Sequence, residues 1–347
     1  MNVNSPPAGP NPRRAPTILD IAEAAGVSKT TVSRVLNGSV GVAPETRTRV
    51  RDAISRLGFQ VNLAARTLRT SRTSLVGLLV PVISIFGLIV EALDEHLAEH
   101  GLGILVTSSR RRDAARDIDA VETLVGRGVD ALVLAPSDDR SPELARYLRT
   151  LNTPIVLLDR EVRGLHSDAV LVDHGPALLA AVRGLAAEGR RSPGLITRDD
   201  RTRPARELVA GFRAACAAAG LAPSKCHVAQ FVDLDQQAAQ AGVDDLLGRK
   251  VDAIIATGGL TLTTGILERL TRRGVSVPGQ VAVVSWGHVG AEPAETSLPT
   301  IAYPVDDVAR STARLIVGRV QGSTAPPRVE VAQTRFVAAG WSVVSPR

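Results

Sequence analysis

TILDIAEAAGVSKTTVSRVLNG, residues 17–38, sets the reading of the whole chain. Thr17 is suited to cap a helix, and Asp20, three residues on, favours its positive end. Ile18, Leu19, Ile21, Ala22 and Ala25 supply an apolar face, and Gly26 ends the helix. Ser28 then caps a second helix whose inward residues are Val32, Val35 and Leu36, and Gly38 stops it. Ala22 has to be small where the second helix crosses, and Val27, Val32 and Val35 lock the two together. Lys29, Thr30, Ser33, Arg34 and Asn37 are left facing outward, with Thr31 able to face either way. Donors, acceptors and methyl groups on an exposed helix are what base edges in a major groove require. Pro44 opens a third helix with Val50, Ile54 and Leu57 at i, i+4 and i+7, closed by Gly58. Three short helices with a glycine turn between the first two form a helix-turn-helix.

Charge agrees with that reading. The net charge of the chain is +6. Between Arg13 and Arg72 stand eleven Lys/Arg and four Asp/Glu, so the whole positive excess lies in the first fifth of the sequence. A basic footprint confined to one module is expected where that module meets phosphates and the rest does not. Met1 to Pro16 is rich in Pro, Asn and Gly without an apolar core, which predicts a disordered arm rather than a signal peptide. Two cysteines, Cys216 and Cys226, make no disulfide framework in a chain this long and are expected as reduced thiols. No apolar run reaches membrane-span length, so a cytoplasmic protein with no membrane partner is expected.

From Leu75 the pattern changes to strands alternating with helices. Apolar strand candidates stand at 75–80, 103–107, 130–135, 154–158, 169–172, 193–197, 227–231, 252–256 and 281–285. Alanine-rich helical stretches intervene, among them 88–100, 176–188, 205–219 and 261–273. That alternation predicts α/β architecture with parallel, doubly wound sheets, and so many strands predict two of them. Aromatic residues are only 3% of the chain, so the core is built of Val, Leu, Ile and Ala.

The string Leu19-Asp20-Ile21-Ala22, then Gly26-Val27-Ser28, then Thr31-Val32-Ser33-Arg34-Val35-Leu36-Asn37-Gly38 resembles the LacI/GalR family of transcriptional regulators. So does the second string, Asn62-Leu63-Ala64-Ala65-Arg66-Thr67-Leu68. The resemblance implies a helix-turn-helix DNA-binding domain at 17–60 and a hinge helix and linker at 61–74. A periplasmic-binding-protein-like body of two doubly wound parallel-sheet subdomains would fill 75–345. The first subdomain would take about 75–172 plus 304–326, the second about 173–303 plus 327–345. It also implies a DNA-binding set of Thr17, Ser28, Lys29, Thr30, Thr31, Ser33, Arg34, Asn37, Asn62, Ala65 and Leu68. Leu68 would wedge open a base step from the minor groove, with Ala65 packed beside it. Two positions depart from the family pattern: Val61 stands where proline often precedes the asparagine, and Ala43 where a capping serine is common.

By the same resemblance, an effector would bind between the lobes, at the carboxyl ends of their strands. Phe86, Asp159, Arg160, Phe231 and Trp286 are the candidate contacts. Several polar positions that commonly grip sugars in the family are absent here. Leu208 stands for an arginine, Gly258-Gly259 for Asn-Asp, Ser285-Trp286-Gly287-His288 for Gly-Phe-Asp-Asp, and Ala339 for an arginine. A typical monosaccharide is therefore not the expected ligand. The expected partners are a palindromic double-stranded DNA operator, an effector of unknown identity and a second copy of the chain, with repression as the expected sign.

Other chemistry finds little support. His96 and His100 stand one helical turn apart, but no HExxH motif accompanies them, and they read as a solvated helix face. Neither a nucleophile elbow nor a P-loop, a dinucleotide fingerprint or a zinc-type cysteine pair is present, so neither enzyme nor cofactor is expected. A periplasmic-type binding protein without a DNA-dependent role is the alternative. The basic helix-turn-helix argues against it.

Overall fold

Thr17 nucleates the first helix as a capping box. Its backbone N–H and hydroxyl both donate to Asp20 Oδ2, at 2.6 and 2.8 Å, while its own oxygen accepts from Asp20 N. The computed structural model describes residues 16–36, 41–59, 72–109, 113–287 and 298–338. The chain divides into two compact units, Met1–Thr73 and Ser74–Arg347.

The first unit holds α1 (Ile18–Ala25), α2 (Lys29–Leu36) and α3 (Pro44–Leu57). Gly26 closes α1 in the left-handed region (φ 63°), which lets the chain turn sharply into α2. Ile21, Ala22, Ala25, Val32, Val50 and Ala53 form the buried core, with Ile18, Val27, Val35, Leu36, Ile54 and Phe59 around it. Two expected core residues lie outside. Leu19 is 59% exposed, because Ile18, Ile21, Ala22 and Ala25 already define the inward stripe and Leu19 sits a third of a turn off it. Leu57 is also exposed, at the last residue of α3. Ala43, at the N-cap of α3, makes no side-chain cap bond, and Pro44 supplies the helical φ instead. Residues 1–15 of the arm expected at 1–16, Asn37, Gly38, and residues 60–71 with the string Asn62 to Leu68, lie outside the described residues.

The second unit contains two six-stranded sheets. The first has β1 (Leu75–Val80), β2 (Gly103–Ser108), β3 (Ala131–Leu134), β4 (Ile155–Leu158), β5 (Asp168–Asp173) and β11 (Val329–Gln333), in the order β11-β5-β4-β3-β1-β2. The second has β6 (Pro193–Arg198), β7 (His227–Phe231), β8 (Ala253–Ala256), β9 (Ala282–Gly287), β10 (Thr300–Ala302) and β12 (Arg335–Val337), in the order β12-β10-β9-β8-β6-β7. All pairings are parallel except β10 with β12. Strands β3, β4 and β8 are buried along their whole length, as parallel strands covered on both faces must be.

Helices α4 (Ile83–Ala98), α5 (Ala114–Gly126), α6 (Pro142–Leu148) and α11 (Val305–Val320) cover the first sheet. Helices α7 (Gly175–Ala187), α8 (Arg203–Ala218), α9 (Gln236–Gly248) and α10 (Gly259–Arg272) cover the second. Each sheet separates two apolar cores, which makes two lobes. His96 is not a merely solvated histidine: its Nε2 lies 3.0 Å from Asp306 Oδ1 and ties α4 to α11. Cys216 and Cys226 are free thiols, and burial, then its neighbour Cys226, push the Cys216 thiol up.

The chain crosses between lobes three times: between β5 and α7, between β10 and α11, and between β11 and β12. The last crossing falls at Thr334, later than the expected subdomain boundary between 326 and 327, because Val329–Gln333 extends the first sheet beside β5. That edge strand leaves Val329 and Val331 about 60% exposed, so it carries no buried apolar run to mark it. Thr334 donates both its N–H and its hydroxyl to Asp173 O, at 3.1 and 3.2 Å, binding the third crossing to the first.

Candidate DNA-reading surface and effector cleft

On the first unit, Ser28, Lys29, Thr30 and Arg34 are exposed, while Thr31 and Ser33 are half-buried. The Ser28 hydroxyl accepts from Thr31 N at 3.1 Å and lies 2.9 Å from Thr31 Oγ1. That contact caps α2 and settles the orientation of Thr31, whose hydroxyl is held locally. Lys29 and Thr30, the first residues of α2, are exposed at its positive end. Arg34 emerges one turn later. Thr17 is half-buried, with its hydroxyl engaged in the cap. Arg49, Arg51 and Arg56 of α3 are exposed as well, and Arg56 also donates to Ala24 O at 3.4 Å. The sequence reading passed over these three because a charged helix face is ordinarily just solvated. Asn37, Asn62, Ala65 and Leu68 lie outside the described residues.

On the second unit, the carboxyl ends of the strands of both lobes face a cavity of about 180 Å³. Of the candidate effector contacts, Phe86, Asp159, Arg160 and Trp286 line it. Phe231 does not: at the end of the edge strand β7 its ring packs against Gly242 of α9, on the opposite face of the sheet from Trp286.

Asp159 is the electrostatic centre of the cavity wall. It follows β4, is 5% exposed and holds the unusual φ of 49°. Oδ1 accepts from Val172 N at 3.1 Å and from Arg203 Nη1 of the other lobe at 3.0 Å. Oδ2 lies 3.8 Å from His174 Nε2. Burial pushes the Asp159 carboxyl up, but His174 and the guanidinium groups of Arg160 and Arg203 outweigh it and hold the carboxyl below its ordinary value. Arg160 is buried, donating from Nε to Pro136 O at 2.6 Å and from Nη1 to Asp159 O at 2.9 Å. Burial lowers its pKa against the opposing pull of Asp159 and Asp139. Beside this pair, Asp139 of the first lobe accepts from Arg203 N at 2.5 Å and meets Arg206 Nη1 at 3.0 Å. Arg140 meets Asp200 Oδ2 at 2.9 Å. Ion pairs thus link the two lobes.

The polar positions missing from the sequence are filled by apolar matter. Leu208 is buried and lines the cavity. At Gly258 a Cβ would lie 2.7 Å from Leu262 Cβ and 2.9 Å from Leu234 Cβ, so the site has no room for a side chain. His174, Thr197 and Tyr303 also line the cavity. None of them was singled out from sequence, although His174 stands beside the expected subdomain boundary between 172 and 173. Burial pushes the Tyr303 hydroxyl far above its ordinary value. Among the described residues no group of three or more His, Cys, Asp or Glu is arranged to hold a metal ion, and no helix is long and apolar enough to cross a membrane.

Fold and surfaces together define a regulator with a helix-turn-helix head and a periplasmic-binding-protein-like body. Residues 17–62 match the family of bacterial regulatory proteins of the lacI type, and residues 182–340 match the periplasmic binding protein-like domain. The regulator AscG of Escherichia coli K12 is 30% identical over 90% of this chain and 94% of its own length. CelR of Thermobifida fusca is 31% identical over 94% and 98%. A solved structure of CelR in complex with cellobiose covers 94% of this chain and 100% of its own, at 26% identity and a TM-score of 0.67. A lac repressor dimer bound to operator and an anti-inducer shares the fold at a TM-score of 0.76 and 21% identity, over 94% and 98%. The chain belongs to the LacI family of DNA-binding transcriptional regulators, which are not enzymes.

Proposed function

We propose that this protein is a cytoplasmic, dimeric repressor of a roughly palindromic operator, released or retained by a small-molecule effector that is not a typical monosaccharide. The observation that carries the DNA reading is the exposure of Lys29, Thr30 and Arg34 along one face of α2, whose other face is fixed in the core by Val32. Lys29 and Thr30 select bases in the major groove, Ser33 and Asn37 add base or phosphate contacts, and Arg34 meets phosphate. Thr17, Ser28 and Thr31 act at the ends of their helices, where capped N-termini approach the backbone. Asn62, Ala65 and Leu68 form the minor-groove hinge, with Leu68 entering the central step. Two heads on a two-fold axis demand a two-fold site, as in the lac repressor dimer on its operator.

The effector reading rests on Leu208, Gly258 and Gly287, which leave a sugar's hydroxyls without the side-chain partners they need. It departs from the cellobiose held by CelR for that reason. Deleting residues 1–72 abolishes operator binding in a gel-shift assay and leaves ligand binding intact. Retained specific DNA binding would refute the first reading. Calorimetry with glucose, galactose and ribose detects no tight binding, and tight binding lost on changing Leu208 or Trp286 would refute the second.

A further inference from the structure

Two polar side chains on the cavity wall have no hydrogen-bond partner among the described residues. His174 is 4% exposed with both ring nitrogens unpaired, and Thr197 is 1% exposed with Oγ1 unpaired. Buried polar groups are ordinarily satisfied, so each such exception calls for a physical account. Their neighbours do not supply one. His174 Nε2 stands 3.8 Å from Asp159 Oδ2, beyond hydrogen-bond range, and Asp159 is already held by Arg203 and Val172. Thr257, which also lines the cavity, donates its hydroxyl to Ile196 O at 3.1 Å, and Arg160 donates from Nε to Pro136 O and from Nη1 to Asp159 O.

The placement of the two is not accidental to the fold. On β6, Leu195 faces the α7–α8 core and Ile196 the α9–α10 core, so strand alternation returns Thr197 to the α7–α8 side. Trp286 emerges from β9 on that same side, and its ring stands edge-on to His174 at 5.1 Å between centroids and 62° between planes. The remaining walls include Phe86, Ile89, Leu208 and Tyr303. An apolar chamber with an aromatic plate thus carries two buried polar side chains without partners in its wall. Its volume of about 180 Å³ is close to that of apolar cavities, on the order of 150 Å³, that accept benzene.

We propose that the effector is a neutral, single-ring aromatic compound bearing a hydroxyl group, its ring held against Trp286 and its hydroxyl bonded to His174 and Thr197. This rests on the regulator reading above for its role as effector, but not for its chemistry. A hydroxyl both accepts and donates, so it can accept from the imidazole N–H and donate to the threonine oxygen. A carboxylate head is disfavoured because the Asp159 charge lies beside His174. Arg198, the other cation on the cavity wall, leaves β6 on the opposite face from Thr197. A polyol is disfavoured because its further hydroxyls would be buried against Leu208 and Leu234.

The chain has two tryptophans, so the full-length Trp341→Phe variant reports Trp286 fluorescence alone. Benzyl alcohol, benzoate and glucose serve as probes. Benzyl alcohol produces a saturable change in the millimolar range or tighter, about tenfold or more tighter than benzoate or glucose. Thr197→Val, nearly the same shape without the hydrogen bond, weakens benzyl alcohol about fivefold or more, and His174→Phe does the same while keeping the ring contact with Trp286. Tighter binding of benzoate or glucose, saturation by none of the three, or an unchanged Kd in a folded Thr197→Val protein overturns the assignment. Gel shifts on the same preparations separate the two readings. Loss of operator binding by the ligand-free protein would overturn the regulator reading, whereas benzyl alcohol that binds without altering operator affinity would remove only its role as effector.

Discussion

Removing the Asp159 carboxylate tests how the two lobes of the effector-binding unit are held together. Asp159 and Arg203 come from different lobes, meet at 3.0 Å, and are 7% and 13% exposed at their side chains. An Asp159→Ala change strands the Arg203 guanidinium with only Val172 O at 3.3 Å, leaves Val172 N without its acceptor, and deprives buried Arg160 of its nearest countercharge. Breaking a buried ion pair from one side costs about 3–5 kcal/mol, because the survivor remains desolvated. With a urea m-value of about 3 kcal/mol/M, that corresponds to a midpoint lowered by about 1–1.7 M. The assay is urea unfolding of the full chain at pH 7, followed by circular dichroism. An Asp159→Asn, Arg203→Met double variant should recover much of the loss, since it removes both charges and keeps a polar acceptor for Val172 N. The pH dependence has a definite sign. The folded-state carboxyl lies below its unfolded value, so its stabilisation is complete above the unfolded value and disappears as pH falls through the folded one. The difference between wild type and Asp159→Ala therefore narrows in acid. A midpoint unchanged within error at pH 7 would refute the account of Asp159 as an interlobe tie.

Asp117 should behave in the opposite way: burial raises its carboxyl although Ser137 donates to it twice at 2.8 Å, so its contribution is greatest below the unfolded value and is lost as pH rises through the folded one. Urea midpoints of Asp117→Asn relative to wild type should accordingly rise between acid and neutral pH, and a constant difference would count against burial as the cause. Thr17→Ala removes the capping box of α1 and should cost about 1 kcal/mol, which lowers the melting temperature of a unit this small by about 4–8 °C in calorimetry. Gly258→Ala forces a Cβ onto Leu262 and Leu234 and should destabilise the chain by about 1–3 kcal/mol by urea titration. A neutral or stabilising effect would mean that the packing around Gly258 is looser than its contacts indicate.

The sequence was most legible where local chemistry decides local structure. Thr17 with Asp20, Gly26 and Pro44 mark helix ends by mechanisms that need no tertiary context: α1 starts at Thr17 and stops at Gly26, and α3 starts at Pro44. The strands of the two sheets were equally plain wherever both faces are buried, since β1, β3, β4 and β8 are unbroken apolar runs. Legibility failed at edges. Strand β11 alternates with solvent and was missed, which displaced the third crossing. Phe231 sits on an edge strand whose facing cannot be settled without knowing its partner. In the cleft, Asp159 was found from the resemblance, but its bond to Arg203 joins elements 44 residues apart and has no local signature. His174 and Thr197 were missed because a single histidine or threonine at a strand end is unremarkable until the fold buries it without a partner.

The central claim is that this chain reads a two-fold DNA site through α2 of each head. Selection of duplexes from a random library by the full-length protein, followed by sequencing, tests it directly. The account predicts one enriched, roughly palindromic sequence, whose base preference shifts at a symmetry-related pair of positions in Thr30→Ala and nowhere else. No enrichment, an asymmetric site, or preferences untouched by Thr30→Ala would contradict it.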